Sequence, residues 1–138
     1  VRVLLIDDEA PVLRALGRLL GKRYEVVTAG DGAEAIAMLT HDSAFDVILS
    51  DLEMPTDARV VHRWLCDHHP RLAAAMLVMT GGARTPETRA WLDAFPSARI
   101  LRKPSSSDEI HAAIREVAGS ISRIATESER RRRAAARC

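Results

Sequence analysis

Five short aliphatic runs recur along the chain, each separated from the next by a longer segment of helical period, and that alternation excludes most folds. The runs lie at about Val3 to Ile6, Glu25 to Thr28, Val47 to Leu49, Met76 to Met79 and Arg99 to Leu101. Strands divided by helices need right-handed crossovers, which give a parallel sheet with helices on both faces. Apolar residues make up 47% of the 138 residues but aromatics only 4%, so the core must be built from Leu, Val, Ile and Ala. Parallel strands covered on both faces have that composition. The length fits one domain, and the chain carries no internal repeat.

Local signals mark several helix boundaries. Val12, Leu16, Leu19 and Leu20 share a helical face, with Pro11 suited to the first turn, and predict a first helix lying on the sheet. Asp31 with Glu34, and Ser106 with Glu109, have capping-box spacing, and Thr85 before Pro86 is a third helix start. The stretch His68-His69-Pro70 predicts the end of the third helix, because proline disfavours helical geometry in the residue before it.

Twenty basic residues against nineteen acidic ones give a net charge of +1, which argues against a general polyanion-binding surface; Arg130 to Arg133 are the local exception. Two cysteines, Cys66 and Cys138, imply no disulfide framework and suit a reducing cytosol, so a cytoplasmic location is expected. No apolar run approaches the roughly 20 residues that span a bilayer, and no signal-peptide pattern precedes the first strand. Membrane insertion is not expected. The first residue is Val, which suggests a trimmed chain or an excised domain.

In open parallel sheets, chemistry gathers beyond the carboxyl ends of the strands. In the flavodoxin-like order 2-1-3-4-5 the first and third strands are neighbours, so Asp7 and Asp8 would meet Asp51. Three carboxylates that close raise one another's pKa unless a hard, oxygen-seeking cation such as Mg²⁺ neutralises them. The fourth strand ends at Thr80 and the fifth at Lys103, adding a hydroxyl and an ammonium. Three aspartates, Lys103 and one divalent ion sum to about zero, a site able to receive a phosphoryl group. Taken singly, Asp7 and Asp8 would read as helix caps, Thr80 as a turn residue and Lys103 as a solvated cation. Their shared place at the strand ends changes that reading.

Ile6-Asp7-Asp8-Glu9, Asp51-Leu52-Glu53-Met54-Pro55, Met79-Thr80-Gly81 and Lys103-Pro104 together resemble the receiver domain of response regulators in bacterial two-component signalling. The resemblance covers about residues 1–119, leaving 120–138 as a C-terminal helical extension or basic tail. It implies a flavodoxin-like (βα)5 fold and Asp51 as phosphoacceptor, taking a phosphoryl group from a histidine kinase or histidine phosphotransfer protein. It further implies Mg²⁺ bound by Asp7, Asp8, Asp51 and the backbone carbonyl of Glu53, with Thr80 and Lys103 supporting the transfer. On this reading the domain is a signalling module and not an enzyme.

The chain departs from the family pattern in three places. Arg59 stands where most receivers carry a glycine four positions after the proline, so either the loop is shifted or Arg59 holds itself over the acidic site. Ile100 replaces the aromatic that often signals phosphorylation, and Ser105 replaces a bulky residue after Lys-Pro. No metal-ligand spacing links His41, His62, His68, His69 and His111, which read as surface or helix-boundary residues, while Cys66, Trp64 and Trp91 read as packing residues.

Competing functions are weaker. A phosphorylation-independent pseudo-receiver would not need the complete Asp7, Asp8, Asp51, Thr80 and Lys103 set. An aspartate-nucleophile phosphatase needs Asp-x-Asp at the first strand end, and a P-loop or dinucleotide enzyme needs a glycine-rich turn there. Neither is present. No helix-turn-helix follows Gly119, so direct nucleic-acid binding is not expected. The parent protein could be a stand-alone regulator, a regulator trimmed of its output domain, or a hybrid histidine kinase, towards which His62-Arg63-Trp64-Leu65 and Met79-Thr80-Gly81-Gly82 lean.

The last helix needs roughly 11 residues to cross a sheet about 17 Å deep, which Ser107 to Val117 supplies. Its stripe Ile110, Ile114 and Val117 continues in sequence as Ile121 and Ile124 with heptad spacing. Either the helix continues and pairs with a second copy, or it frays beyond Gly119.

Overall fold

The computed structural model describes residues 1–136, and beyond Ser120 the side chains described are those of Glu127, Arg130, Arg131 and Ala134. The strands and helices alternate as β1 (Arg2–Ile6), α1 (Ala10–Leu20), β2 (Glu25–Ala29), α2 (Gly32–His41), β3 (Val47–Asp51), α3 (Ala58–His68), α4 (Pro70–Ala74), β4 (Met76–Thr80), α5 (Pro86–Ala94), β5 (Ile100–Arg102) and α6 (Ser107–Ala136). The five strands form one parallel sheet in the order β2-β1-β3-β4-β5, as expected.

Successive strand residues point to opposite faces, and the central strands use both. Leu4, Ile6, Ile48, Met76 and Val78 face a core closed by Ala35 and Leu39 of α2, Val61 and Leu65 of α3, Leu72 of α4 and Leu92 of α5. Val3, Leu5, Val47, Leu49, Leu77 and Met79 face a second core closed by Leu20 of α1 and Ile110, Ile114 and Val117 of α6. Burying each such aliphatic side chain stabilises the fold by about 1.5–3 kcal/mol. The α1 face is rotated from the expected one. Leu20 is buried and half-buried Leu13 and Leu16 pack against the same core, whereas Val12 and Leu19, also half-buried, do not join it.

All three predicted caps form. Asp31 accepts the Glu34 N–H at 3.0 Å, although Glu34 reaches back to the Gly30 N–H and not to that of Asp31. Ser106 and Glu109 exchange both capping bonds, and Thr85 pairs reciprocally with Thr88. Helix α3 ends at His68 as predicted, but Pro70 then opens the short α4, which sequence reasoning missed. Proline lacks an N–H, so it terminates one helix and still suits the first turn of the next.

Two readings of single residues need correction. Cys66 is exposed, not a packing residue. His111 is neither superficial nor at a helix boundary; it is buried in α6 and its Nδ1 lies 3.2 Å from the Tyr24 hydroxyl. Burial, with the charges of Arg23 and Arg115, lowers its pKa against a smaller opposing effect of Asp108.

The backbone of α6 runs on through Gly119 for 30 residues in all, about 45 Å at 1.5 Å per residue. The continuous reading of the last helix therefore holds for its backbone. The side chains of Ile121, Ile124, Arg132 and Arg133, and all of Cys138, lie outside the described residues.

Candidate functional site

The register of the sheet assembles the site. Ile6 pairs with Ser50, Asp51 with Met79 and Thr80 with Arg102, so the last residues of four strands lie side by side. Asp7 follows directly on Ile6 and its N–H bonds the carbonyl of Ala29, which carries it straight on from β1. Lys103 likewise continues β5 through an N–H bond to the Thr80 carbonyl at 2.7 Å.

Asp7, Asp8 and Asp51 each offer a carboxylate oxygen within 4.8 Å of the others. Asp7 is 1% exposed and Asp51 8%, whereas Asp8 is exposed. One oxygen of Asp7 accepts the Glu9 N–H at 2.9 Å, and the other, Oδ2, is buried with no hydrogen-bond partner. Burial raises the Asp7 pKa; the Glu9 bond opposes this, Asp51 adds to it, Lys103 opposes it and Asp8 adds again. A buried polar atom without a partner costs about 1–3 kcal/mol. A hard cation that seeks oxygen would supply the missing partner, so the donor set fits Mg²⁺.

Lys103 Nζ donates to Asp51 Oδ1 at 2.8 Å. Partial burial alone would lower the Lys103 pKa, but the bond to Asp51 and the charges of Asp51, Asp7 and Glu9 outweigh it, and the pKa is raised. Thr80 is buried, and its Oγ1 accepts the Gly82 N–H at 2.9 Å. Gly82 has φ of +128°, a conformation that costs a side-chain-bearing residue dearly, so the turn after Thr80 requires glycine.

Asp8, Asp51, Glu53, Thr80 and Lys103 line one open basin, with Glu9 and Arg84 on its rim. All the residues predicted from sequence are thus brought together, with Asp7 buried just behind Asp51. What sequence reasoning missed is the bridge across the rim. Glu53 Oε1 accepts the Arg84 N–H at 2.6 Å, and Glu53 Oε2 lies 2.9 Å from Arg84 Nε. The partners are 31 positions apart, and only their places after β3 and β4 hint at the pairing.

Arg59 does not hold itself over the acidic site. Asp57 caps α3 by accepting the Arg59 N–H and also binds the Arg59 guanidinium, at 2.9 Å for each bond. No non-glycine residue among those described has positive φ, so Arg59 carries no backbone penalty. Ala58, fully buried, occupies the first position of the helix. Ile100 is half-buried against the core, and the Ser105 hydroxyl bonds the Arg102 carbonyl at 2.7 Å.

Comparison with known proteins agrees with this geometry. A family model for the response regulator receiver domain matches residues 3–115. Response regulator MprA of Mycobacterium leprae is 35% identical over 117 residues, which is 83% of this chain and 50% of that protein. Virulence sensor protein BvgS of Bordetella bronchiseptica is 42% identical over 55 residues, 40% of this chain and 4% of that protein. The chain therefore spans half or less of these relatives. A response regulator receiver domain from Clostridium thermocellum shares the fold, with a TM-score of 0.78, 24% identity and coverage of 89% of this chain and 98% of that one.

Proposed function

The chain belongs to the response regulator receiver family of two-component signalling, and from that premise we propose that Asp51 accepts a phosphoryl group from a phosphohistidine of a histidine kinase or phosphotransfer protein. The observation that carries this reading is the Lys103 ammonium on Asp51 beside the unpartnered Oδ2 of buried Asp7. Asp7, Asp8, Asp51 and the Glu53 carbonyl would hold Mg²⁺, which when bound supplies positive charge for the phosphoryl oxygens. Asp51 attacks phosphorus with one carboxylate oxygen while the bond to the histidine nitrogen breaks. Lys103 offsets charge on the transferring group, electrostatic stabilisation with no proton transferred by the lysine. The Thr80 hydroxyl already accepts the Gly82 N–H and keeps its own proton to donate to a phosphoryl oxygen. A bond there would pull on the turn at Gly81 and Gly82 and so signal phosphorylation.

Residues 1–119 would form the receiver, and the continuation of α6 beyond it would join another domain or pair with a second copy. No described helix is long and apolar enough to cross a membrane, and a cytoplasmic setting suits the proposed donors. The partial likeness to BvgS supports a hybrid kinase parent. Incubation with acetyl phosphate and Mg²⁺ should add about 80 Da, one phosphoryl group, by intact-mass spectrometry. Asp51→Asn and excess EDTA should each abolish the adduct. Undiminished labelling of Asp51→Asn would overturn the assignment, and a wild type that never labels would favour a phosphorylation-independent pseudo-receiver.

A further inference from the structure

Arg84 stands out on the rim of the basin. Its side chain is 85% exposed, and a single edge of the guanidinium is used, Nε against Glu53 Oε2. The backbone N–H of the same residue also binds Glu53, so the side chain is anchored at its base and at Nε. Neither terminal nitrogen of Arg84 has a described partner. The basin is otherwise acidic, lined by Asp8, Glu9, Asp51 and Glu53, with Lys103 already bound to Asp51. An incoming phosphodonor is an anion and meets that field before it meets Asp51.

We propose that Arg84 is the binding residue for the anionic phosphodonor, held across the mouth by Glu53 so that its free guanidinium edge receives the donor as it approaches Asp51. This rests on Asp51 being the phosphoacceptor. In an in-line transfer the leaving group lies opposite Asp51, on the open side of the basin where Arg84 stands. With acetyl phosphate, the Asp51 oxygen-to-phosphorus bond forms as the bridging phosphorus-to-oxygen bond breaks, and acetate departs with the electron pair as an anion. With phosphoramidate, the phosphorus-to-nitrogen bond breaks and neutral ammonia departs from the donor's ammonium end. The first donor is a dianion overall and the second a monoanion near pH 7, so a cation at the mouth favours the first.

The test compares wild type, Arg84→Gln and Arg84→Lys at saturating Mg²⁺, reading the apparent second-order rate of phosphorylation by each donor at low and high salt. Arg84→Gln should slow acetyl phosphate about five-fold at low salt, the order expected for one cation acting on a dianion through water. The loss with phosphoramidate should be smaller, both losses should shrink at high salt as charges are screened, and Arg84→Lys should keep most of the wild-type rate. Because Arg84 is exposed, its unfolding midpoint should not move. Equal rates for wild type and Arg84→Gln would overturn the proposal, as would an equal loss with both donors that salt does not change, which indicates a displaced loop. If wild type accepts no phosphoryl group from either donor, the phosphoacceptor reading itself fails and this one with it.

Discussion

Replacing Asp7 by Asn should make the metal-free protein more stable while abolishing its stabilisation by Mg²⁺. Asp7 and Asp51 are both buried, and their nearest usable oxygens lie within 4.8 Å. Two unit charges at that distance repel by about 3.5 kcal/mol at an effective dielectric of 20. Lys103 on Asp51 and the Glu9 N–H on Asp7 offset part of this, leaving a net penalty of about 1–2 kcal/mol. Asn keeps the acceptor for Glu9 and removes the charge near Asp51. Urea unfolding in EDTA should therefore show Asp7→Asn more stable by about 1–2 kcal/mol, a melting shift on the order of 4–8 °C. The gain should depend on pH in a definite direction. Because the native pKa of Asp7 is raised above the ordinary 3.8, the native state favours the protonated form, and the penalty exists only above the native pKa. The advantage of the variant should be full above the native pKa and should vanish as the pH falls through it towards 3.8. Millimolar MgCl₂ should stabilise wild type by mass action and leave the variant unmoved. A variant that is less stable than wild type in EDTA, or that still responds to Mg²⁺, would refute the account of Asp7 as a crowded carboxylate awaiting a cation.

Other expectations test the scaffold. Gly32→Ala would place a Cβ 2.2 Å from the Thr56 carbonyl oxygen and 2.8 Å from Val61; it should cost about 3 kcal/mol or more in denaturant unfolding, because backbone must move to relieve it. Thr85→Ala removes the hydroxyl that accepts the Thr88 N–H and meets the Thr88 hydroxyl at the start of α5, while the backbone N–H of residue 85 keeps its bond to Thr88 Oγ1, and should cost about 1 kcal/mol in melting experiments. His111, buried beside Tyr24, has a lowered pKa, so the unfolded chain binds its proton first. Stability should fall as the pH drops below the ordinary 6.5, and a His111→Gln variant should show a shallower loss between pH 7.5 and 5.5 in urea titrations.

The aspartates, Thr80 and Lys103 were legible because a parallel sheet turns sequence position into place: a residue after a strand lies at the carboxyl edge, and strand order decides its neighbours. The caps were legible for a similar reason, since Ser106 with Glu109 and Thr85 act within one helical turn. Even so, local pattern could not set the rotation of α1, where Leu13 and not Val12 meets the sheet, because that depends on which face the packed strands leave open. Nor could it foresee that His111 meets Tyr24 across 87 positions.

The amino-acid sequence by itself determined the strand and helix alternation, the two-faced aliphatic core and the acidic, hydroxyl and ammonium groups that gather at one edge. Only the tertiary structure decided that Asp7 hides an oxygen with no partner and that Glu53 grips Arg84 across the basin. The physical reason is range. Periodicity and capping are settled within a turn or a strand, whereas the choice of partner by a long charged side chain depends on which loops the sheet brings within hydrogen-bonding distance.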